Sequence, residues 1–135
     1  MTTRTITVTV SNPGSGNKYF LDGAKQATIV LAEGGTYVFD QADSSNEYHP
    51  LRFSTTSDGT HNSGSEYTTG VTTSGTPGNA GAKTTIQVAS SAPVLYYYCS
   101  NHSGMGGTAN TEAATTWGLL SWDEGSWGAQ NSIGF

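Results

Sequence analysis

The chain has 135 residues, of which Lys and Arg supply five and Asp and Glu ten, for a net charge of −5. That balance excludes nucleic acid as a partner, because phosphate recognition needs clustered Lys and Arg, and the five here are scattered. No apolar run approaches the roughly 20 residues of a membrane-spanning helix. A chain of this length holds one modest core, and a single cysteine excludes an intrachain disulfide.

After Met1 the polar Thr2-Thr3-Arg4 leads straight into a strand pattern with no secretory signal, so synthesis in a cytosol is expected. Thr5–Val10 alternates polar and apolar β-branched residues, the period of a half-buried strand. Asn12–Asn17 is a turn cluster, and Lys18–Leu21 a short aromatic strand closed by Asp22-Gly23. Ala27–Leu31 and Thr36–Gln41 read as strands split by Glu33-Gly34-Gly35, a hairpin-type break. Asp40–Asn46 is polar loop, and Tyr48–Thr55 resumes the alternation.

Thr56–Ala82 is rich in Gly, Ser and Thr with no sustained apolar period, and reads as a long irregular excursion with a short strand near Tyr67–Thr72. Loops of that length in compact domains are usually functional or disordered. Thr84–Ala89 and Val94–Cys99 close the series. About seven short strands with frequent turns and no helical period predict an all-β fold, an antiparallel Greek-key sandwich.

Val94–Gly107, V-L-Y-Y-Y-C-S-N-H-S-G-M-G-G, carries the chemistry. Cys99, His102 and Met105 fall within seven residues, directly after an aromatic strand. A thiolate, an imidazole and a thioether so close together suit copper, and a blue-copper site adds only a second imidazole. Because Cys, His and Met come from one loop, that imidazole has to come from a neighbouring strand far upstream. His49 fits, early in a predicted strand and some fifty residues before Cys99. His61, in the turn-rich Asp58-Gly59-Thr60-His61-Asn62, is the competitor, although a histidine in such a loop is more often simply solvated.

Cys-x2-His-x2-Met with a histidine on an earlier strand resembles the cupredoxins, the plastocyanin and amicyanin group. The Y-Y-C-S-N-H-S-G-M run looks like their copper loop in its most compact spacing, with Ser100 after Cys99 as is common there. The resemblance covers roughly Thr5–Gly107 and implies a cupredoxin-like sandwich with His49, Cys99, His102 and Met105 as copper ligands. Two positions depart from the pattern. Pro50 stands where many cupredoxins carry an Asn that steadies the thiolate, leaving Asn46 or Ser100 as substitutes, and Asn101 stands where plastocyanins carry Pro.

Tyr37–Gln41, Ser44–Phe53, Ser54–Val71 and Leu95–Gly107 also resemble a module recurrent in virion proteins of marine tailed bacteriophages. That resemblance implies a virion structural protein (fibre, tail or capsid decoration) made in the host cytoplasm, with other virion proteins and further copies of itself as partners.

Residues 1–108 are thus expected to form the sandwich and 109–135 an extended C-terminal arm. In the arm Trp117, Trp122 and Trp127 recur every five residues, a period that fits neither a helix face nor a strand face. They read either as hydrophobic cover on the sandwich or as partner-binding residues docking on another subunit. Three functions follow: a virion structural subunit with copper acting as a clip, a soluble blue-copper electron carrier, or a receptor- or glycan-binding module with Tyr67 on its surface. No Ser-His-Asp order or paired carboxylates stand out, and Cys99 as a nucleophile would need a base that the metal set already employs, so a non-enzyme is expected.

Overall fold

The computed structural model describes residues 3–113. The strands are β1 (Thr3–Ser11), β2 (Lys18–Leu21), β3 (Ala24–Lys25), β4 (Ile29–Ala32), β5 (Thr36–Asp40) and β6 (Leu51–Ser54), then β7 (Glu66–Tyr67), β8 (Val71–Ser74), β9 (Lys83–Gln87), β10 (Leu95–Cys99) and β11 (Gly107–Glu112). Two short 3-10 turns, Ser44–Asn46 and Gly59–Asn62, are the only helical elements among the described residues. One sheet has the order β3-β2-β1-β5-β9-β8 and the other β4-β11-β10-β6-β7. The chain is the expected β-sandwich, crossing repeatedly from one sheet to the other.

The alternation read from the sequence sets the inner faces. Ile6 and Val8 of β1 are buried while Thr5 and Thr7, which alternate with them, face water. In β5 Tyr37 and Phe39 point inward, and in β10 Leu95, Tyr97, Tyr98 and Cys99 are buried. The layers meet through Phe39 of one sheet and Phe53 of the other, edge to face at 5.3 Å. Tyr19 and Tyr97 form a second cross-sheet pair at 6.3 Å. Each such side chain contributes roughly 1.5–3 kcal/mol when taken from water into the core. The buried phenols are satisfied by backbone, Tyr97 donating to Ala27 O at 2.6 Å and Tyr19 to His49 O at 2.6 Å.

Most neighbouring strands run antiparallel, but β1 with β5 and β4 with β11 run parallel. Both pairs join strands far apart in sequence, whose directions follow from crossings between sheets rather than from hairpins.

The strand read over Tyr48–Thr55 begins only at Leu51. Tyr48 has a φ of 68° and Pro50 has no N–H to give a ladder, so the backbone before Leu51 is turned rather than extended. The excursion 56–82 is ordered: β7 pairs with β6 and β8 with β9. The short strand expected near Tyr67–Thr72 is two, β7 ending at Tyr67 and β8 starting at Val71, the latter with three of its four residues, Thr72, Thr73 and Ser74, exposed. β11, of sequence G-T-A-N-T-E, buries only Ala109 and runs across position 108. Trp117, Trp122 and Trp127 lie outside the described residues.

Candidate metal centre

The register of β6 on β10 builds the site. Cys99, the last residue of β10, pairs with Leu51, the first of β6. Pro50 and His49 immediately precede Leu51, so the turn into β6 delivers His49 to the cysteine across fifty residues of chain. Ser100 N donates to Pro50 O at 3.1 Å and Asn101 Nδ2 to Tyr48 O at 3.0 Å, tying the two segments together beyond the ladder. After Cys99 the chain turns through Asn101–Gly104 and brings His102 back over the sulfur.

His49 Nδ1 lies 3.6 Å and His102 Nδ1 3.7 Å from Cys99 Sγ. The two imidazoles tilt at 51° with centroids 4.6 Å apart. All three donor atoms lie within 4.8 Å of one another. A first-row ion sits about 2.0–2.1 Å from an imidazole nitrogen and about 2.3 Å from a thiolate sulfur. For angles between tetrahedral and trigonal those lengths put N and S about 3.6–3.8 Å apart, and both observed separations fall there. Met105 is buried, on the wall of the same surface pocket as His102, and its carbonyl accepts from Tyr19 N at 3.0 Å. Two imidazoles, a thiolate and a thioether are the donor chemistry of copper rather than of magnesium or calcium, which take oxygen.

His49 and Cys99 are buried and His102 is exposed. Burial lowers the His49 pKa from its usual value, with the neighbouring His102 adding to the effect. A lowered pKa keeps that ring neutral, the state in which it can donate a lone pair. Tyr19 is pushed well above the ordinary phenol value, first by burial and then by Cys99 beside it, so it stays protonated and donates to His49 O.

His49 is fixed from behind by its backbone. Its N–H donates to Asn46 O at 2.8 Å, and its carbonyl accepts from Gln41 Nε2 at 2.7 Å as well as from Tyr19. Gln41, 1% exposed, also donates to Asn46 Oδ1 at 3.0 Å and accepts from Leu51 N at 3.0 Å. Asn46 in turn donates to Val8 O at 2.8 Å and Asp43 O at 3.1 Å. Asn46 therefore braces the His49 turn through β1, and Ser100 contributes its backbone N–H to Pro50. Both expected substitutes thus tie the backbone of the His49 turn rather than the cysteine sulfur.

His61, the competing histidine, is absent from the donor cluster and bonds instead to the Cys99 carbonyl. Sequence reasoning missed Gln41, Tyr19 and Asp58. A polar Gln at the end of a strand and an Asp in a glycine-rich loop carry no local signal of what they hold.

The two-sheet sandwich thus gathers His49, Cys99 and His102 at one end of β10 as a donor set that could hold a metal ion, with Met105 buried on the wall of the pocket that His102 lines. No family model matches the chain, and no curated protein matches it. Among solved structures it is similar to a methionine-to-glutamine mutant of rusticyanin, at 13% identity and TM-score 0.49, covering 82% of this chain and 78% of that one. Reduced rusticyanin matches at 14% identity and TM-score 0.40, over 82% and 79% of the two chains. Rusticyanin from Thiobacillus ferrooxidans matches at 14% identity and TM-score 0.41, over 82% and 77%.

Proposed function

We propose that this protein carries single electrons. The observation that carries the reading is the donor geometry: two imidazole nitrogens at 3.6 and 3.7 Å from one thiolate sulfur, already set at bonding separation. Copper bound there would supply the Cu(I)/Cu(II) couple. The chain's own contribution is to hold the donors still and to keep water from most of them. Gln41, Tyr19 and Asn46 fix His49, Cys99 ends a buried strand, and Met105 is held through its carbonyl. His102 is the exposed donor, in a surface pocket lined by Asn17, Asn101, Ser103 and the buried Met105, where a partner can approach. This reading assigns no catalytic step.

The test is the visible spectrum of the protein loaded with Cu(II), beside a Cys99→Ser control. Intense thiolate-to-copper absorption that bleaches on reduction, returns on oxidation and is lost in the control supports the carrier. A colourless oxidised protein with stoichiometric copper would sink it.

A second reading, a structural subunit of a tailed-phage particle, draws its support from the likeness of Tyr37–Gln41, Ser44–Phe53, Ser54–Val71 and Leu95–Gly107 to virion modules. Copper would then act as a clip that stabilises by binding the folded state alone, and the three arm tryptophans would meet neighbouring subunits. The donor geometry favours the carrier. Light scattering on the full chain separates the two, a monomer speaking for the carrier and a large assembly for the subunit.

A further inference from the structure

Four consecutive residues of the excursion after β6 each touch the strand or the loop that bears the donors. Asp58 Oδ1 accepts from Gly104 N at 2.9 Å. Gly59, at φ +53°, lies so close to Tyr98 that a Cβ there would meet its ring at 2.5 Å. The Thr60 side chain lies beside the Tyr98 phenol and favours its charged form. His61 Nε2 lies 2.8 Å from Cys99 O, with its ring edge-on to Tyr98 at 6.2 Å. A carbonyl only accepts, so Nε2 of His61 carries the proton of that bond.

The opposite flank of the loop is held as well. Lys18 Nζ donates to Gly104 O at 2.8 Å, Gln26 Nε2 to Gly106 O at 2.8 Å, and Tyr19 N to Met105 O. These residues belong to β2 and the segment just after β3, in the other sheet. The loop from Cys99 to Met105 is therefore gripped between two separate pieces of chain.

We infer that Asp58 and His61 are positioning residues: the 58–61 turn clamps both ends of the donor loop, keeps it in place without metal, and raises the reduction potential of bound copper. Neither residue offers an atom to the donor cluster. Each acts on backbone, at the carbonyl of the ligating cysteine and at the amide one residue before Met105. The N–H that His61 aims at Cys99 O places the positive end of a dipole at the backbone of the ligating cysteine, which favours the less positively charged, reduced ion. The turn fills a space within the Gly/Ser/Thr-rich excursion that the metal chemistry by itself does not call for. The potential part of this inference rests on the copper reading, and the loop-holding part does not.

The test uses His61→Ala and Asp58→Ala with the conservative partners His61→Gln, which keeps a donor, and Asp58→Asn, which keeps an acceptor. In the metal-free full chain, amide hydrogen exchange at Ser100–Gly104 is expected to quicken about tenfold in each alanine variant, as the loss of one hydrogen bond implies, and to recover in Gln and Asn. In the copper-loaded protein the potential of His61→Ala is expected to fall and that of His61→Gln to return toward the wild type. Exchange unchanged in the alanine variants overturns the clamp. Alanine effects that Gln and Asn do not restore also overturn it, since a merely structural role would produce them. Should wild type and variants alike fail to give the thiolate-copper absorption, the copper reading falls, and the exchange data still decide the clamp.

Discussion

Gln41 shows how much of the site depends on a residue with no metal chemistry of its own. Its amide spans Asn46, the carbonyl of His49 and the amide of Leu51, all out of contact with water. Replacing it with Leu keeps the approximate volume but strands the Leu51 N–H and the Asn46 oxygen. An unsatisfied buried polar group costs about 1–3 kcal/mol, so Gln41→Leu is expected to lower the stability of the metal-free protein by about 3 kcal/mol. Urea denaturation of wild type and variant measures this, and a loss under about 0.5 kcal/mol, the size of an ordinary surface substitution, would show the network to be dispensable. At this scale the sequence discloses the donors and hides their supports. Cys99, His102 and Met105 announce themselves because three soft donors in seven residues are rare, and His49 follows from needing a second ring. Gln41 and Tyr19 acquire their roles only when the sheets bring positions 19, 41 and 49 together, which no local pattern encodes.

At the scale of the element, β10 and the loop after it are fixed by close backbone approach. A Cβ on Gly106 would sit 1.7 Å from Tyr97 O, inside the ladder joining β10 to β11. Backbone cannot yield as a flexible side chain can, so Gly106→Ala must push the start of β11 and the neighbouring Met105 aside. Overpacking costs typically 1–3 kcal/mol, and here a loss at or above about 3 kcal/mol is expected, together with weaker copper binding. Chemical denaturation and copper titration read the two effects, and a variant as stable as wild type would contradict the packing described. The strands legible in the sequence are those with one wet and one dry face, β1 and β5 above all. β8, a polar edge strand, reads only as part of a short strand near Tyr67–Thr72, and β11 escapes notice because, although it lies between β4 and β10, it buries a single alanine. His49 was assigned to the right neighbourhood for a slightly wrong reason: it sits in the turn before β6, where Pro50 and the left-handed Tyr48 forbid a strand.

For the whole molecule, the buried state of His49 couples the site to global stability through protons. Its pKa is lowered in the fold, by burial first and by His102 second, from the ordinary 6.5 that it regains on unfolding. Below pH 6.5 the unfolded chain therefore binds a proton that the folded chain refuses, so stability rises with pH across that window and falls as pH drops through it. Once pH is below the lowered folded value both states are protonated at His49 and the loss levels off. Metal-free protein should accordingly show a thermal midpoint that declines as pH falls from 7 toward 5, a span in which carboxylates with ordinary pKa values near 4 contribute little. Copper adds a second dependence of the same sign, because ligation needs a neutral imidazole and a thiolate and so competes with protons. The rise in midpoint on adding copper should shrink over the same range, since stabilisation by a ligand grows with its concentration relative to its dissociation constant. Scanning calorimetry of metal-free and loaded protein between pH 5 and 8 tests both expectations. A His49→Gln variant should flatten the metal-free slope. A metal-free midpoint that climbs on acidification, or a slope that survives this substitution, would mean that His49 is not held neutral in the fold.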